Sequence, residues 1–128
     1  KSAFKNKFIN LNYFKKNEKL YSPERDFIHI NEVTRIIHLV IKKSKIFGKF
    51  NIFNVGSGKK TSLDKILKNL EKKLNKKIYV KKKIMNSKEL NITWCLKNKI
   101  ERKLSIKIRN NMEDIINSSI NNFKKNAK

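Results

Sequence analysis

The sequence predicts a mixed α/β fold, and three observations lead to it. Val33, Ile36, Ile37, Val40 and Ile41 recur at the spacing of one helix face. Phe50 to Val55 is an aromatic and β-branched run set between Gly48 and the pair Gly56 and Gly58, which reads as a mostly buried strand entering a tight turn. Directly after that turn, Leu63, Ile66, Leu67, Leu70 and Leu74 form a second helical stripe.

Taken in order, Phe4, Phe8 and Leu11 fall at helical spacing, so the first stretch, to about Asn17, reads as an amphipathic helix. Pro23 breaks that pattern before a short strand from Asp26 to Ile30. The helix around Val33 to Ile41 has a basic end at Lys42 and Lys43, and must bury one face. Thr61 or Ser62 is placed to cap the second helix, with Asp64 three residues after Thr61 as in a capping box, and the Lys-Leu-Asn-Lys-Lys turn ends it. Ile78 to Val80 is a short strand candidate, and Leu90 to Leu96 holds another around Ile92 and Trp94. Two helices close the chain, with Asn98 and Glu101, then Asn110 and Glu113, as cap pairs. The last turns Met112, Ile115, Ile116, Ile120 and Phe123 inward.

With 128 residues, 38% of them apolar, the chain can fill one small core and not two. Its formal net charge of +23 is a weak functional signal, because lysine supplies 29 of the 33 basic residues. Lysine, asparagine and isoleucine together make up half the sequence, the composition an AT-rich coding sequence produces without selection for charge. Cys95 alone cannot form an internal disulfide, and with His29 and His38 it matches no zinc-ligand spacing, so a reducing, cytoplasmic setting is expected and no metal. No apolar run is long enough to span a membrane, and the first residues lack the apolar stretch of an export signal. The sequence begins with Lys1 rather than Met, from which residues upstream are expected.

Gly56-Ser57-Gly58-Lys59-Lys60-Thr61 invites a phosphate-loop reading, which the spacing defeats. Phe53 stands where the first glycine is needed, and Lys59 is followed by Lys60 rather than Ser or Thr. A dinucleotide fingerprint fails at Thr61, where its third glycine belongs, so a glycine turn joining strand to helix is the better account. Tyr79 and Lys83 have the spacing of a Tyr-x-x-x-Lys dyad, but lysine is common enough here for coincidence, and Ile78-Tyr79-Val80 reads as strand where the dyad needs a helix. His29, in an alternating strand, and His38, on an amphipathic helix, read as structural. No nucleophile stands beside a base, so no catalytic residue is assigned.

One set of segments rises above this background: Arg25-Asp26-Phe27-Ile28-His29-Ile30, Asn31-Glu32-Val33 opening a helix, Phe53-Asn54-Val55-Gly56-Ser57-Gly58, and Ser62-Leu63. It resembles the carboxyl-terminal part of the extended short-chain dehydrogenase/reductase family, the NAD-dependent nucleotide-sugar epimerases and dehydratases. Lys97 to Leu104 and Met112 to Phe123 resemble that family's closing helices, so the likeness covers nearly the whole chain. There are departures. Tyr21-Ser22-Pro23-Glu24 replaces a glycine-rich turn, Asn31 stands at the first of two acidic positions, no Arg-x-Gly-Asp lies among Ile84 to Asn91, and Leu104-Ser105-Ile106 replaces Leu-Gly-Trp.

The resemblance implies that residues 1–128 are the substrate-binding subdomain of a Rossmann-type enzyme, including one late strand of its parallel sheet, without the amino-terminal half that carries the cofactor glycines and the catalytic dyad. It further implies NAD or NADP in the complete enzyme but not on this chain alone, a nucleotide-sugar substrate, and a complete enzyme for which a homodimer is open. Arg25 is then the substrate-binding residue, aimed at the diphosphate. The competing account of Arg25 is a structural ion pair with Asp26 or Glu24. A rival from another class is a small basic RNA- or ribosome-binding protein. Against nucleic acid stand the few arginines and the apparent core positions of Phe27, Phe50 and Phe53, which leave no exposed stacking platform. Finally, the helix at Val33 to Ile41 and the strand at Phe50 to Val55 look made to pack on a sheet this chain does not contain.

Overall fold

A computed structural model describes residues 8–48, 50–86 and 88–126. Strand β1 (Ile9–Lys16) turns back on β2 (Lys19–Tyr21) as an antiparallel hairpin, and β5 (Val80–Ile84) pairs with the other edge of β1 in parallel, giving the order β2-β1-β5. A parallel partner requires a long crossover. The crossover carries a second, two-stranded antiparallel sheet of β3 (Glu24–Asp26) and β4 (Lys60–Ser62), together with helices α1 (Ile30–Lys42) and α2 (Leu63–Leu74). Helices α3 (Asn98–Leu104) and α4 (Met112–Asn126) follow.

The core centres on Ile36 of α1, Ile100 and Leu104 of α3, and Ile108, with Ile28, Val40, Phe47, Phe53 and Val55 packed around them. Tyr13, Ile78, Met85, Ile116 and Ile120 are also buried. Local chemistry sets the helix ends. Ser62 Oγ accepts from Lys65 N to cap α2, and Asn75 closes that helix in the left-handed region (φ 47°), as a residue with a short polar side chain can.

Several expectations are corrected. The first stretch is a strand and not a helix: Ile9, Leu11 and Tyr13 alternate toward the inside while Asn10 and Asn12 face out, and that period of two prevails over the helical spacing. Phe4 lies outside the described residues. The strand expected at Asp26 to Ile30 is Glu24–Asp26, and His29, expected within it, is the N-cap of α1, its Nδ1 accepting from Asn31 N at 3.1 Å. The stripe of α1 is split, with Ile36 1% exposed but Ile37 and Ile41 54% and 66%. Phe50 to Val55 forms no strand with the other described residues. Phe53 and Val55 reach the core, yet Phe50 and Ile52 are 82% and 64% exposed, so the expected burial is absent: one strand with two apolar faces finds cover here for only one of them. Leu90 to Leu96 forms a single bridge, Glu24 with Ile92. Asn98 caps nothing, and Asn111 rather than Asn110 caps α4, its Oδ1 accepting from Glu113 N and Asp114 N at 3.1 and 3.4 Å. Thr61 belongs to β4.

Candidate functional site

Arg25 occupies the middle of β3, opposite Thr61 of β4, while the strand's other edge is held by Glu24 N to Asn91 O at 3.0 Å and Thr93 N to Glu24 O at 3.1 Å. The half-buried guanidinium donates from Nη1 to two neutral carbonyls, Glu24 O at 2.9 Å and Asn91 O at 3.2 Å. It forms no ion pair among the described residues. Neither carboxylate named as its competing partner takes it, which leaves Nε and Nη2 as donors with no acceptor among the described residues.

Asp26 is engaged elsewhere. Its Oδ1 accepts from Ser57 N at 2.9 Å and Ser57 Oγ at 2.5 Å, and its Oδ2 from Gly58 N at 2.8 Å and Cys95 N at 3.0 Å. Burial alone would raise its pKa. The hydrogen bonds from Ser57, Cys95 and Gly58 outweigh burial and hold the carboxyl below its ordinary value. These N–H groups are those a phosphate loop would offer to a ligand, so the glycine turn is a cradle filled by the chain's own carboxylate. Gly56 is required because a Cβ there would lie 2.3 Å from Cys95 Cβ, and Gly58 because its φ is +73°.

Beside this knot an open cleft of about 560 Å³ is lined by Asp26, Phe53, Asn54, Trp94, Cys95 and Leu96, and Lys60 Nζ lies 4.0 Å from the centre of the Trp94 ring. Burial and the charge of Asp26 push the Cys95 thiol up against the opposing pull of Lys97, away from the thiolate form. A second polar cavity, about 480 Å³, lies between the start of α1 and α4 and is lined in part by His29, Glu32, Arg35, Arg109 and Ser118. Its groups are paired for structure. Glu32 accepts from Arg35 Nε and Nη2 at 2.8 and 2.6 Å and from Arg109 N at 2.8 Å. Because His29 Nδ1 accepts from Asn31 N, Nε2 carries the proton of the neutral ring and donates to Ser118 Oγ at 2.9 Å. His38 lies exposed on α1, and Tyr79 and Lys83 lie at and within β5, not on a helix. Among the described residues no group of three or more potential ligands could hold a metal, and no helix is long and apolar enough to cross a membrane.

The sequence reading placed Asp26 in a motif, at the start of a strand and as a candidate ion-pair partner of Arg25, and missed its bonds to the glycine turn and Cys95. One signal was available: an aspartate next to the arginine and a Gly-Ser-Gly turn rich in free N–H groups elsewhere in the chain are complementary. The clamp on Arg25 by the Asn91 carbonyl had no such signal, since any residue supplies a carbonyl.

No family model matches the sequence, and no curated protein matches it. Solved structures do. The chain superposes on UDP-glucose 4-epimerase from Bifidobacterium longum, a complex with NAD+ and UDP, with a TM-score of 0.77 at 22% identity, covering 94% of this chain and 36% of that one. For the UDP-Glc/GlcNAc 4-epimerase of Campylobacter jejuni the TM-score is 0.76 at 20% identity, covering 97% and 38%. For dTDP-glucose 4,6-dehydratase from Bacillus anthracis, in complex with NAD, it is 0.73 at 13% identity, covering 98% and 37%. The chain thus spans little more than a third of the length of these proteins, and its fold is that of the carboxyl-terminal portion of the extended short-chain dehydrogenase structures.

Proposed function

We propose that residues 1–128 are the nucleotide-sugar-binding part of an NAD(P)-dependent epimerase, dehydratase or reductase, with Arg25 binding the diphosphate. The observation that supports this is the way Arg25 is held. Two backbone carbonyls fix the guanidinium plane through Nη1, among the described residues no carboxylate neutralises it, and Nε with Nη2 forms an edge of donors suited to two phosphate oxygens. The Asp26 knot joins β3 to the glycine turn and to Cys95, so the arginine rests on a rigid base.

The residues present do not fit the cofactor. The glycine turn has spent its N–H groups on Asp26, and the chain has no dinucleotide fingerprint, so NAD or NADP belongs to an amino-terminal half of the complete enzyme. The uncovered edge and outer face of Phe50 to Val55, with Ile37 and Ile41 of α1, are the surface on which that half would pack, with the segment as the late strand of its parallel sheet. This chain's part in the reaction is to bind and orient the substrate.

The test is calorimetric titration of the complete enzyme with UDP, a UDP-sugar and NAD. Arg25→Ala should weaken nucleotide-sugar binding by about 1.5–3 kcal/mol and leave cofactor affinity nearly unchanged, and Arg25→Lys should recover only part of the loss. Equal losses for both ligands would indicate misfolding, and no loss for either would remove Arg25 from the site.

A further inference from the structure

The ladder pairs of the three-stranded sheet place Asn10 beside Lys81, Asn12 beside Lys83, Phe14 beside Tyr21 and Lys16 beside Lys19. All eight lie on the face of β1 opposite Tyr13, which is 2% exposed on the inner side. Phe14 and Tyr21 are stacked, with ring centroids 5.7 Å apart and planes inclined by 23°, and Tyr21 is 44% exposed. All four lysines are exposed. The nearby carboxylates are Glu18 in the hairpin turn and Glu89, whose oxygens already accept from Asn12 Nδ2 at 3.3 and 3.4 Å. The sequence argument against a stacking platform rested on Phe27, Phe50 and Phe53 and did not consider this pair.

We propose that the outer face of the β2-β1-β5 sheet binds single-stranded nucleic acid, with Tyr21 and Phe14 stacking a base and Lys16, Lys19, Lys81 and Lys83 meeting the phosphates. Flat rings flanked by cations match a ligand that alternates planar bases with anionic links. A duplex hides its base faces and cannot use the rings. An anionic membrane would be met by apolar groups that insert, whereas this face is six parts polar to two aromatic. Arginine scarcity is no obstacle, because binding of this kind needs no bidentate reading of base edges. The proposal stands independently of the nucleotide-sugar reading.

The test is fluorescence anisotropy of the full-length protein with a labelled thymidine oligomer of about twelve nucleotides, beside a duplex, inorganic polyphosphate and phosphatidylserine vesicles. Tight binding of the single strand is expected, with Tyr21→Phe within about twofold of wild type and Tyr21→Leu, which keeps an apolar contact with Phe14, weaker by about five- to tenfold. Lys81→Glu combined with Lys83→Glu, on the strand away from the hairpin, should weaken binding further and flatten its salt dependence even if Tyr21→Leu fails to fold. Equal affinity for polyphosphate, preference for vesicles, unchanged binding in folded Tyr21→Leu, or no binding at all would overturn the proposal.

Discussion

Asp26 gathers both the N–H and the hydroxyl of Ser57 onto one carboxylate oxygen, at 2.9 and 2.5 Å, across 31 residues of chain. The same carboxylate holds Gly58 N and Cys95 N, so a single side chain joins three segments that no continuous sheet connects. Two short strands and an extended segment have few ladder bonds of their own, and this knot substitutes for them.

The Asp26→Asn variant tests that role. An amide offers one acceptor where the carboxylate offers two, and turns an N–H toward N–H donors, so a loss of about 1.5–3 kcal/mol is expected. The pH dependence has a definite sign. The folded-state pKa lies below the unfolded value, so the contribution is complete above about pH 4 and is lost as pH falls through the folded pKa. Thermal melts between neutral and acid pH should show wild type losing stability in this window and Asp26→Asn losing less. Parallel curves would rule out the carboxylate as the source.

Gly56→Ala should destabilise by about 1–3 kcal/mol through overpacking, because the new Cβ would sit 2.3 Å from Cys95 Cβ and 3.0 Å from Asp26 Oδ2. The nearest obstacle is a Cβ and not the sulfur alone. Adding Cys95→Ala should therefore give little rescue, and denaturant midpoints of the two single variants and the pair would show it. Substantial rescue would mean that the thiol, not the backbone approach, sets the spacing.

Two non-glycine residues form the turn of the β1–β2 hairpin, Asn17 at φ 46° and Glu18 at φ 61°, as a type I′ turn demands. Glutamate gains nothing from that region, so Glu18→Gly should raise stability by up to about 1 kcal/mol. Ser105, at φ 54° and closing α3, should respond in the same way to Ser105→Gly. Melting temperatures of both variants check this, and a fall in either would show that its side chain makes a contact worth more than the strain.

The same turn explains why the first element misled. Had Glu18 been glycine, Asn-Gly between alternating apolar residues would have marked a hairpin, and Phe8 and Leu11 would not have suggested a helix. Helices α1 and α2 were legible because five apolar residues in each repeat at the helical period, and the glycine turn because its residues punctuate the chain. The three-residue strands carry no period to read. Phe50 to Val55 was legible in composition but not in outcome, since pairing depends on a neighbour as much as on the strand. At the candidate site Arg25 could be picked out by its motif, yet its freedom from Glu24 and Asp26 depends on Ser57, Gly58, Asn91 and Cys95, all distant in sequence from the arginine.

Tyr13 supplies the last prediction, through its hydroxyl donated to Asp64 in the first turn of α2. Burial, then the hydrogen bond to Asp64 and the charge of that carboxylate, push the phenol up from 10.0 to about 12. Here the folded-state pKa exceeds the unfolded one, so the contribution is complete below about pH 10 and is lost as pH rises toward 12, amounting to about 2–3 kcal/mol across the window. The net charge of +23 adds its own dependence of stability on pH, which obscures the effect in wild type alone. The difference between wild type and Tyr13→Phe removes that background. At neutral pH the variant should be less stable by about 1 kcal/mol, from the lost hydrogen bond. Between pH 10 and 12 its disadvantage should shrink and then reverse, because phenylalanine cannot ionise in the unfolded chain. Absorbance titration should find one tyrosine ionising at about 12 in wild type and none there in Tyr13→Phe; a stability difference that stays constant with pH would sever the link between this hydroxyl and Asp64.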